Sequence, residues 1–404
     1  MKTLTIALGL FCALGITAGC ADYSNVQEAC HPKESIAGGN ALGPVEADAV
    51  NRLNCHRRLA GIARASIRVT MQNVAHDQMD YILANPDGDR VFALNGGADY
   101  LTQVAVDNLF SGASVFERLE REGYMLIDPG GQGIKEFLLF WVGEGNPPSG
   151  AAAIDELMRD HEFREYGLQP SWVDGAYTEA EIPRQWWINA DYCEFRPCTD
   201  GEPPAGLIGR AYYLLMVHSD PHLEHASRPL LYPKFQQTGV PLYSDGFDLD
   251  TVVDLGYAAP VQLGFPITIF PGVVDPTNAR PGDANVYGVI VRAQISGPGG
   301  PLDTIVVLPG VPADGIRPAG NYVRQVATVF AAQPLAPSTR YTVDGEVSTV
   351  ESKFPLGLEF TTAASDPGVQ GAGPSVARMH TSRDYTADVV RQRTRDVPSL
   401  LGQP

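Results

Sequence analysis

The chain has 404 residues, of which 44% are hydrophobic and 9% aromatic, and this content is enough for packed cores. Such a composition excludes a chain that is disordered throughout, and the length indicates two or three domains at about 150 residues each. Asp and Glu number 47 against 29 Lys and Arg, so the net charge is −18 and the acidic surface excludes nucleic acid as a partner.

The N-terminus is predicted to be a secretory signal, residues 1–19. Lys2 precedes an apolar stretch that is short for a membrane-spanning helix, and small residues lead from it to Cys20. The residues before Cys20 resemble a bacterial lipobox. This resemblance implies a lipid on Cys20 and a place in the bacterial outer membrane or on the cell surface. Ordinary secretion with cleavage nearby is the alternative.

Four cysteines follow the lipobox, and an even number in an exported chain indicates disulfides, with three possible connectivities. Cys193 and Cys198 close a short loop and are predicted to pair. Cys30 would then pair with Cys55. A zinc site built from all four cysteines is the alternative, but it needs two closely spaced pairs and the sequence has only one.

Residues 20–45 are predicted to form a surface linker, and a mixture of helices and strands follows it. Val50, Leu53 and Leu59 recur at helical spacing before Gly61. Further helices are predicted at 67–84, 101–110, 114–122 and 151–166. Buried strands are predicted from the apolar runs 137–142 and 211–217. This mixture indicates the α+β class.

Four segments between residues 46 and 220 resemble the CAP superfamily of cysteine-rich secretory proteins, antigen 5 and pathogenesis-related proteins. Residues 51–61, NRLNCHRRLAG, resemble its opening helix, which carries an N-x-x-R-x-x-x-G pattern. Residues 75–85 resemble its second helix, and 153–164 its next one. Residues 116–124 resemble the F-x-R-L…G-Y segment of bacterial members. The resemblance implies a CAP-like α-β-α sandwich over residues 46–220.

A different pattern begins near residue 229, where short β-branched runs are broken by Gly and Pro, which is typical of a β-sandwich. Residues 335–341 resemble the L-x-P-x-T-x-Y corner of fibronectin type III and bacterial Ig-like domains, which implies an all-β Ig-like sandwich over 229–363. The strands are predicted at 267–270, 287–295, 304–308, 323–330, 341–347 and 358–362. Residues 364–404 are polar and predicted to form a mobile tail.

The CAP resemblance implies a cleft in which two His and two Glu hold a divalent metal, but the histidines depart from the family pattern. The family places its first His shortly before the F-x-R-L segment, and this chain has no histidine between His76 and His161. Its second His directly precedes Arg. Here Phe163 precedes Arg164, and the nearest histidine is His161.

Glu136 and Glu144 are the candidates for the glutamate of the intervening strand region. His161 and Glu162 begin an H-E-x-x-H motif, but its last position is Glu165, so no zinc-protease helix is expected. An intact family-type metal site is therefore not predicted.

Two further groups of side chains carry metal-ligating atoms. The first consists of His218, His222 and His225. Three histidines can bind zinc, but Pro221 prevents a regular helix here, and a polar interdomain linker is the favoured interpretation. The second consists of Asp245, Asp248 and Asp250. Carboxylates suit extracellular calcium, but the spacing lacks the EF-hand order, and an acidic loop is favoured.

These observations favour a non-enzymatic, exported protein that binds a lipid, a glycan or another protein through its CAP-like domain and contacts the membrane through its lipid. The Ig-like domain would serve as a spacer or a second adhesive surface, and no cofactor is expected. A divergent metal-dependent hydrolase of envelope polymer or peptide is the alternative, using His161 with Glu136, Glu144 or Glu162. A purely structural surface protein is the third hypothesis.

Overall fold

A computed structural model of the chain confirms the α+β class. It describes residues 43–85, 103, 105, 107–124, 134–144, 146–148, 150–159, 163–164, 167–168, 172–184, 206–218, 229–244, 263–270, 290–307, 326–348, 353–365 and 377–384. No helix among these residues is both long enough and apolar enough to cross a membrane.

Among the described residues, helices and strands are mixed up to residue 218, and the elements after it are strands. The helices are α1 (Pro44–Leu59), α2 (Val69–Ala84), α3 (Val115–Arg121) and α4 (Ala151–Leu157). The strands of the first half are β1 (Ser66–Ile67), β2 (Ile134–Glu144), β3 (Trp172–Ile182) and β4 (Leu207–His218). The later strands are β5 (Leu230–Tyr232), β6 (Gln237–Val240), β7 (Tyr243–Ser244), β8 (Leu263–Gly264), β9 (Ile267–Phe270), β10 (Ile290–Gly297), β11 (Gly300–Pro301), β12 (Thr304–Val307), β13 (Ala327–Ala331), β14 (Arg340–Ser348), β15 (Lys353–Thr362) and β16 (Ala377–Asp384).

The first unit is a five-stranded sheet, in the order β1-β3-β4-β2-β16, with helices on both faces. Phe137, Leu139 and Trp141 of β2 lie in one core with residues of α1 and α4. Leu138 and Phe140 point the other way, into a second core with residues of α2 and α3. Because helices cover both faces, this strand has a continuous apolar sequence rather than an alternating one.

The second unit is built from two sheets that pack on each other. One has the order β11-β10-β14-β15-β6 and the other β12-β13-β9-β5, and β7 pairs with β8 beside them. Val343 and Leu358 of the larger sheet share a hydrophobic cluster with Ile267 and Val329 of the smaller one. Strand β10 contacts β12 and β13 across this core. The strand predicted at 267–270 is confirmed with its bounds, and each of the other strands predicted after residue 229 overlaps a strand of the structure.

Two predicted helices differ from the structure, and one strand of the structure was not predicted. Residues 107–110 form turns and irregular backbone, so the helix predicted at 101–110 does not reach Phe110. The helix predicted at 151–166 is interrupted, because α4 ends at Leu157 and a turn follows at 158–159, although residues 163–164 are again helical. Strand β3 was not predicted, because Asp174, Gly175 and Glu179 interrupt its apolar pattern.

The mobile tail predicted over 364–404 is wrong for residues 377–384, which form β16. This strand pairs antiparallel with β2, from Ala377 opposite Val142 to Asp384 opposite Lys135. Its polar sequence gave no strand signal. An edge strand is held mainly by backbone hydrogen bonds to its neighbour, so a polar segment can fill the position.

Candidate functional site

Most of the site residues predicted from the sequence lie outside the described residues. These are Cys20, Cys30, His161, Glu162, Cys193, Cys198, His222, His225, Asp245, Asp248 and Asp250. Glu144 ends β2 opposite Leu207, the first residue of β4, whereas His218 is the last residue of β4. These two candidates therefore lie at opposite ends of the sheet. Within the described ranges, no group of three or more His, Cys, Asp or Glu is placed to hold a metal ion.

Glu136, a candidate for the glutamate of the metal site, is fully buried and paired. Arg118 Nη2 donates to Glu136 Oε1 at 2.5 Å, and the Tyr213 hydroxyl donates to the same oxygen. Arg118 is itself 1% exposed and also donates to the Gly112 carbonyl at 3.2 Å. Burial, and then the nearby Glu136 charge, raise the pKa of Tyr213 well above its ordinary value, so it stays a donor. The negative charge of Glu136 is thus balanced by Arg118, and the same oxygen also accepts from Tyr213.

Helix α3 positions Arg118 through signals at both of its ends. Ser114 is the N-cap and accepts from the Glu117 N–H at 3.3 Å, and the Glu117 carboxylate accepts from the N–H of Ala113, the residue before the cap, at 2.9 Å. Gly123 has a φ of +74°, and the Tyr124 N–H closes the last turn on the Leu119 carbonyl at 2.9 Å. The segment 116–124, which resembles F-x-R-L…G-Y, thus contains a capped helix that places Arg118 beside Glu136 of β2.

The residues of the N-x-x-R-x-x-x-G motif, at the end of α1, form hydrogen bonds with the backbone of the segment that follows the helix. Asn54 donates to the Ala65 carbonyl at 3.0 Å and accepts from the Ala65 N–H at 2.9 Å. Arg57 donates from Nε to the Ala63 carbonyl at 2.8 Å and from Nη1 to the Gly167 carbonyl at 2.9 Å. Gly61 has a φ of +76° and ends the helix. The N-x-x-R-x-x-x-G residues therefore bind backbone of their own chain.

A buried histidine connects the two units, and the sequence analysis missed it. His56 Nδ1 lies 2.6 Å from the Tyr232 hydroxyl of β5, and His56 Nε2 lies 2.8 Å from Asp155 Oδ1 of α4. Arg52 Nη2 pairs with the other Asp155 oxygen at 2.9 Å. His56 follows Leu53 by three residues, so helical spacing alone places it on the buried face of α1.

The protonation states in this network follow from burial. Burial raises the pKa of Tyr232 to about 12, so its hydroxyl keeps its proton. His56 is buried, and desolvation lowers its pKa, assisted by the charges of Arg52 and Arg164 and opposed by Asp155. We therefore assign a neutral imidazole that accepts from Tyr232 at Nδ1 and donates to Asp155 from Nε2. Every polar atom of the ring is satisfied in this state.

Two arginines extend the contact between the units. The Arg164 guanidinium lies over the Phe265 ring, 4.0 Å from its centroid, and donates to the Pro266 carbonyl. The Ser244 hydroxyl donates to the Arg159 carbonyl at 2.9 Å. Arg159, Arg164 and Ser244 are all buried, and their pairing across the junction holds the two units together.

Acid is expected to weaken the fold through His56. Its pKa is lower in the folded chain than the ordinary 6.5, so only the unfolded chain binds the proton just below that pH. The free energy of unfolding should therefore fall as the pH drops below 6.5, by at most about 1.4 kcal/mol per pH unit. Urea unfolding at several pH values should show this dependence in the native chain and less of it in His56→Gln. His76→Gln, at a half-buried histidine outside this network, should keep it; equal slopes in all three would contradict the assignment.

Cys55 is buried in α1 and forms a disulfide whose partner lies outside the described residues. The predicted pairs are Cys30 with Cys55 and Cys193 with Cys198. In the chain-entropy view each bridge contributes about 2–4 kcal/mol, the longer loop more. Peptide mapping without reduction should recover both pairs, whereas a peptide that joins Cys55 to Cys193 would contradict them.

No protein-family model matches the chain, and no curated protein matches it either.

Proposed function

We propose that the chain is an exported, lipid-anchored surface protein that binds a ligand through a CAP-like domain, residues 46–220, and carries an Ig-like domain, residues 229–363, as a spacer or second adhesive surface. The observation that carries the proposal is the buried trio of Glu136, Arg118 and Tyr213. A carboxylate that already has a counter-charge and a hydroxyl donor stabilises the fold and is not free to hold a catalytic metal.

The other motif residues support the same proposal. Asn54 and Arg57 bind backbone carbonyls inside the first unit, and Arg118 binds Glu136. The motif residues that carry the resemblance to the CAP superfamily thus have structural roles. The metal-binding histidines of that family are, in contrast, incomplete in this sequence. A scaffold that keeps its structural residues without its metal ligands favours binding over hydrolysis.

The Ig-like assignment of the second unit is supported by its tyrosine corner. The Ala336 N–H donates to the Tyr341 hydroxyl at 2.8 Å, and the Tyr341 ring stacks on Phe360 with 5.7 Å between centroids. A hydroxyl that binds backbone a few residues upstream is typical of this corner in β-sandwich domains.

The ligand class is a lipid, a glycan or another protein, since the net charge of −18 disfavours polyanions. Isolated bacterial envelope is a suitable probe, because it contains all three. Purified chain without residues 1–19 should co-sediment with envelope in a saturable manner and release no soluble fragments. Release of fragments that EDTA abolishes would support the metal-dependent hydrolase instead.

Membrane attachment is predicted to depend on Cys20. Two acyl chains hold a protein stably at a membrane, because each buried CH₂ contributes about 0.8 kcal/mol. Cys20→Ser should therefore move the chain from the membrane fraction to the soluble fraction and leave its circular dichroism spectrum unchanged. Equal partitioning of the two chains, with an unmodified N-terminus in mass spectrometry, would leave simple secretion as the explanation.

A further inference from the structure

Strand β2 is an inner strand of the first sheet because β16, more than two hundred residues later in the chain, pairs with its outer side. It pairs with β4 on one side, from Ile134 to Glu144, and with β16 on the other, from Lys135 to Val142. β16 ends the sheet and pairs with β2 alone among the strands that the structure describes. The backbone groups on this side of β2 therefore depend on residues 377–384.

An uncovered β2 would be a reactive edge. Its described side chains, 134 and 136–141, are all buried, so none of them presents a charge to solvent at this edge. A long apolar strand with unpaired N–H and C=O groups is a template for any extended segment that fits its register. The fold requires such a segment here, whichever chain supplies it.

β16, the strand that pairs with the outer side of β2, follows the second unit in the chain. β15 belongs to the larger sheet of the second unit, and residues 363–376 lie between it and β16. No tight hairpin joins donor and acceptor. Residues 377–384 of a second copy would form the same register pairs with β2, so each hydrogen bond would be replaced by an identical one.

We propose that the edge of β2 is a strand-acceptor site at which residues 377–384 of a second copy of this chain replace the chain's own β16. Reciprocal exchange gives a two-fold dimer in which each copy keeps a complete five-stranded sheet. Because β16 is covalently joined to the chain that contains its own β2, its effective concentration at that edge is on the order of millimolar. The monomer therefore dominates in dilute solution, and the dimer increases as the chain is concentrated. This inference is independent of the proposed ligand binding.

Cross-linking between full-length chains tests the exchange. Lys135 and Asp384 are register partners at one end of the ladder, and antiparallel partners lie about 4.5–5.5 Å apart at Cα, within the range of a disulfide. Lys135→Cys and Asp384→Cys chains are mixed at high concentration, oxidised and separated without reduction. We expect a cross-linked dimer whose yield rises with concentration. It should exceed, by about tenfold or more, the yield from Lys135→Cys mixed with Lys353→Cys, an exposed position on β15 that does not pair with β2.

The double variant, with both Lys135→Cys and Asp384→Cys in one chain, provides the second arm. In dilute solution it should cross-link within the chain, because its own strand then occupies β2. The proposal is overturned if the exchange mixture gives no more dimer than the Lys353→Cys control, and equally if the double variant forms no cross-link within one chain.

Discussion

Replacing Arg118 with methionine is expected to lower the free energy of unfolding by about 3–5 kcal/mol, because it leaves the Glu136 carboxylate buried without its counter-charge. Arg118 and Glu136 are 1% and 0% exposed, so water cannot take over the lost interaction. Methionine keeps most of the side-chain volume, which separates the loss of charge from the loss of packing. Urea denaturation of the full chain measures the change.

Two companion variants sharpen this result. Arg121→Met, on the exposed side of the same helix, should change the stability by no more than about 0.5 kcal/mol. Arg118→Met combined with Glu136→Leu and Tyr213→Phe should recover most of the loss, since a buried ion pair can often be replaced by apolar residues of similar volume and no Tyr213 hydroxyl is then left without its acceptor. A loss below about 1 kcal/mol in the single variant would show that Glu136 does not depend on Arg118.

Truncating Tyr232 to alanine is the second large effect, with an expected loss of about 3–5 kcal/mol. Its ring packs at the junction, edge-on to His56 with 5.8 Å between ring centroids and tilted against Phe265 at 6.4 Å. Its hydroxyl is the hydrogen-bond partner of His56 Nδ1. The thermal midpoint and the urea midpoint of the chain should both fall.

Tyr232→Phe separates the hydroxyl from the ring. It should lower the stability by about 1–3 kcal/mol, because a buried acceptor on His56 loses its donor. Phe235→Ala is the matched control: this ring is 54% exposed and lies only three residues away, so its loss should change the stability by no more than about 0.5 kcal/mol. If Tyr232→Ala were as mild as the control, the junction would not stabilise the fold.

Local signals in the sequence were sufficient for many of the elements. The apolar runs 137–142 and 211–217 predict strands buried on both faces, and β2 and β4 contain them. The helix predicted at 114–122 is found as α3, where Ser114 forms the cap. These features depend on residues that are close in sequence, so a pattern of spacing can reveal them.

Features that depend on distant residues could not be read from the sequence in this way. β16 is polar, and its place is set by the open edge of β2, more than two hundred residues earlier in the chain. The partners of His56 lie on α4 and β5, and only the packing of the two units brings them together. The role of Glu136 likewise depends on Arg118 and Tyr213, which come from separate elements. Glu136, a candidate metal ligand by its sequence, is therefore one half of a buried ion pair in the fold.

The metal content of the purified chain tests most directly whether the protein binds a ligand or hydrolyses one. Chain prepared without residues 1–19, dialysed and analysed by inductively coupled plasma mass spectrometry, should contain far less than one equivalent of zinc. His161→Ala should leave that value unchanged. One equivalent of zinc in the native chain, lost in His161→Ala, would contradict the binding function and establish a metal centre.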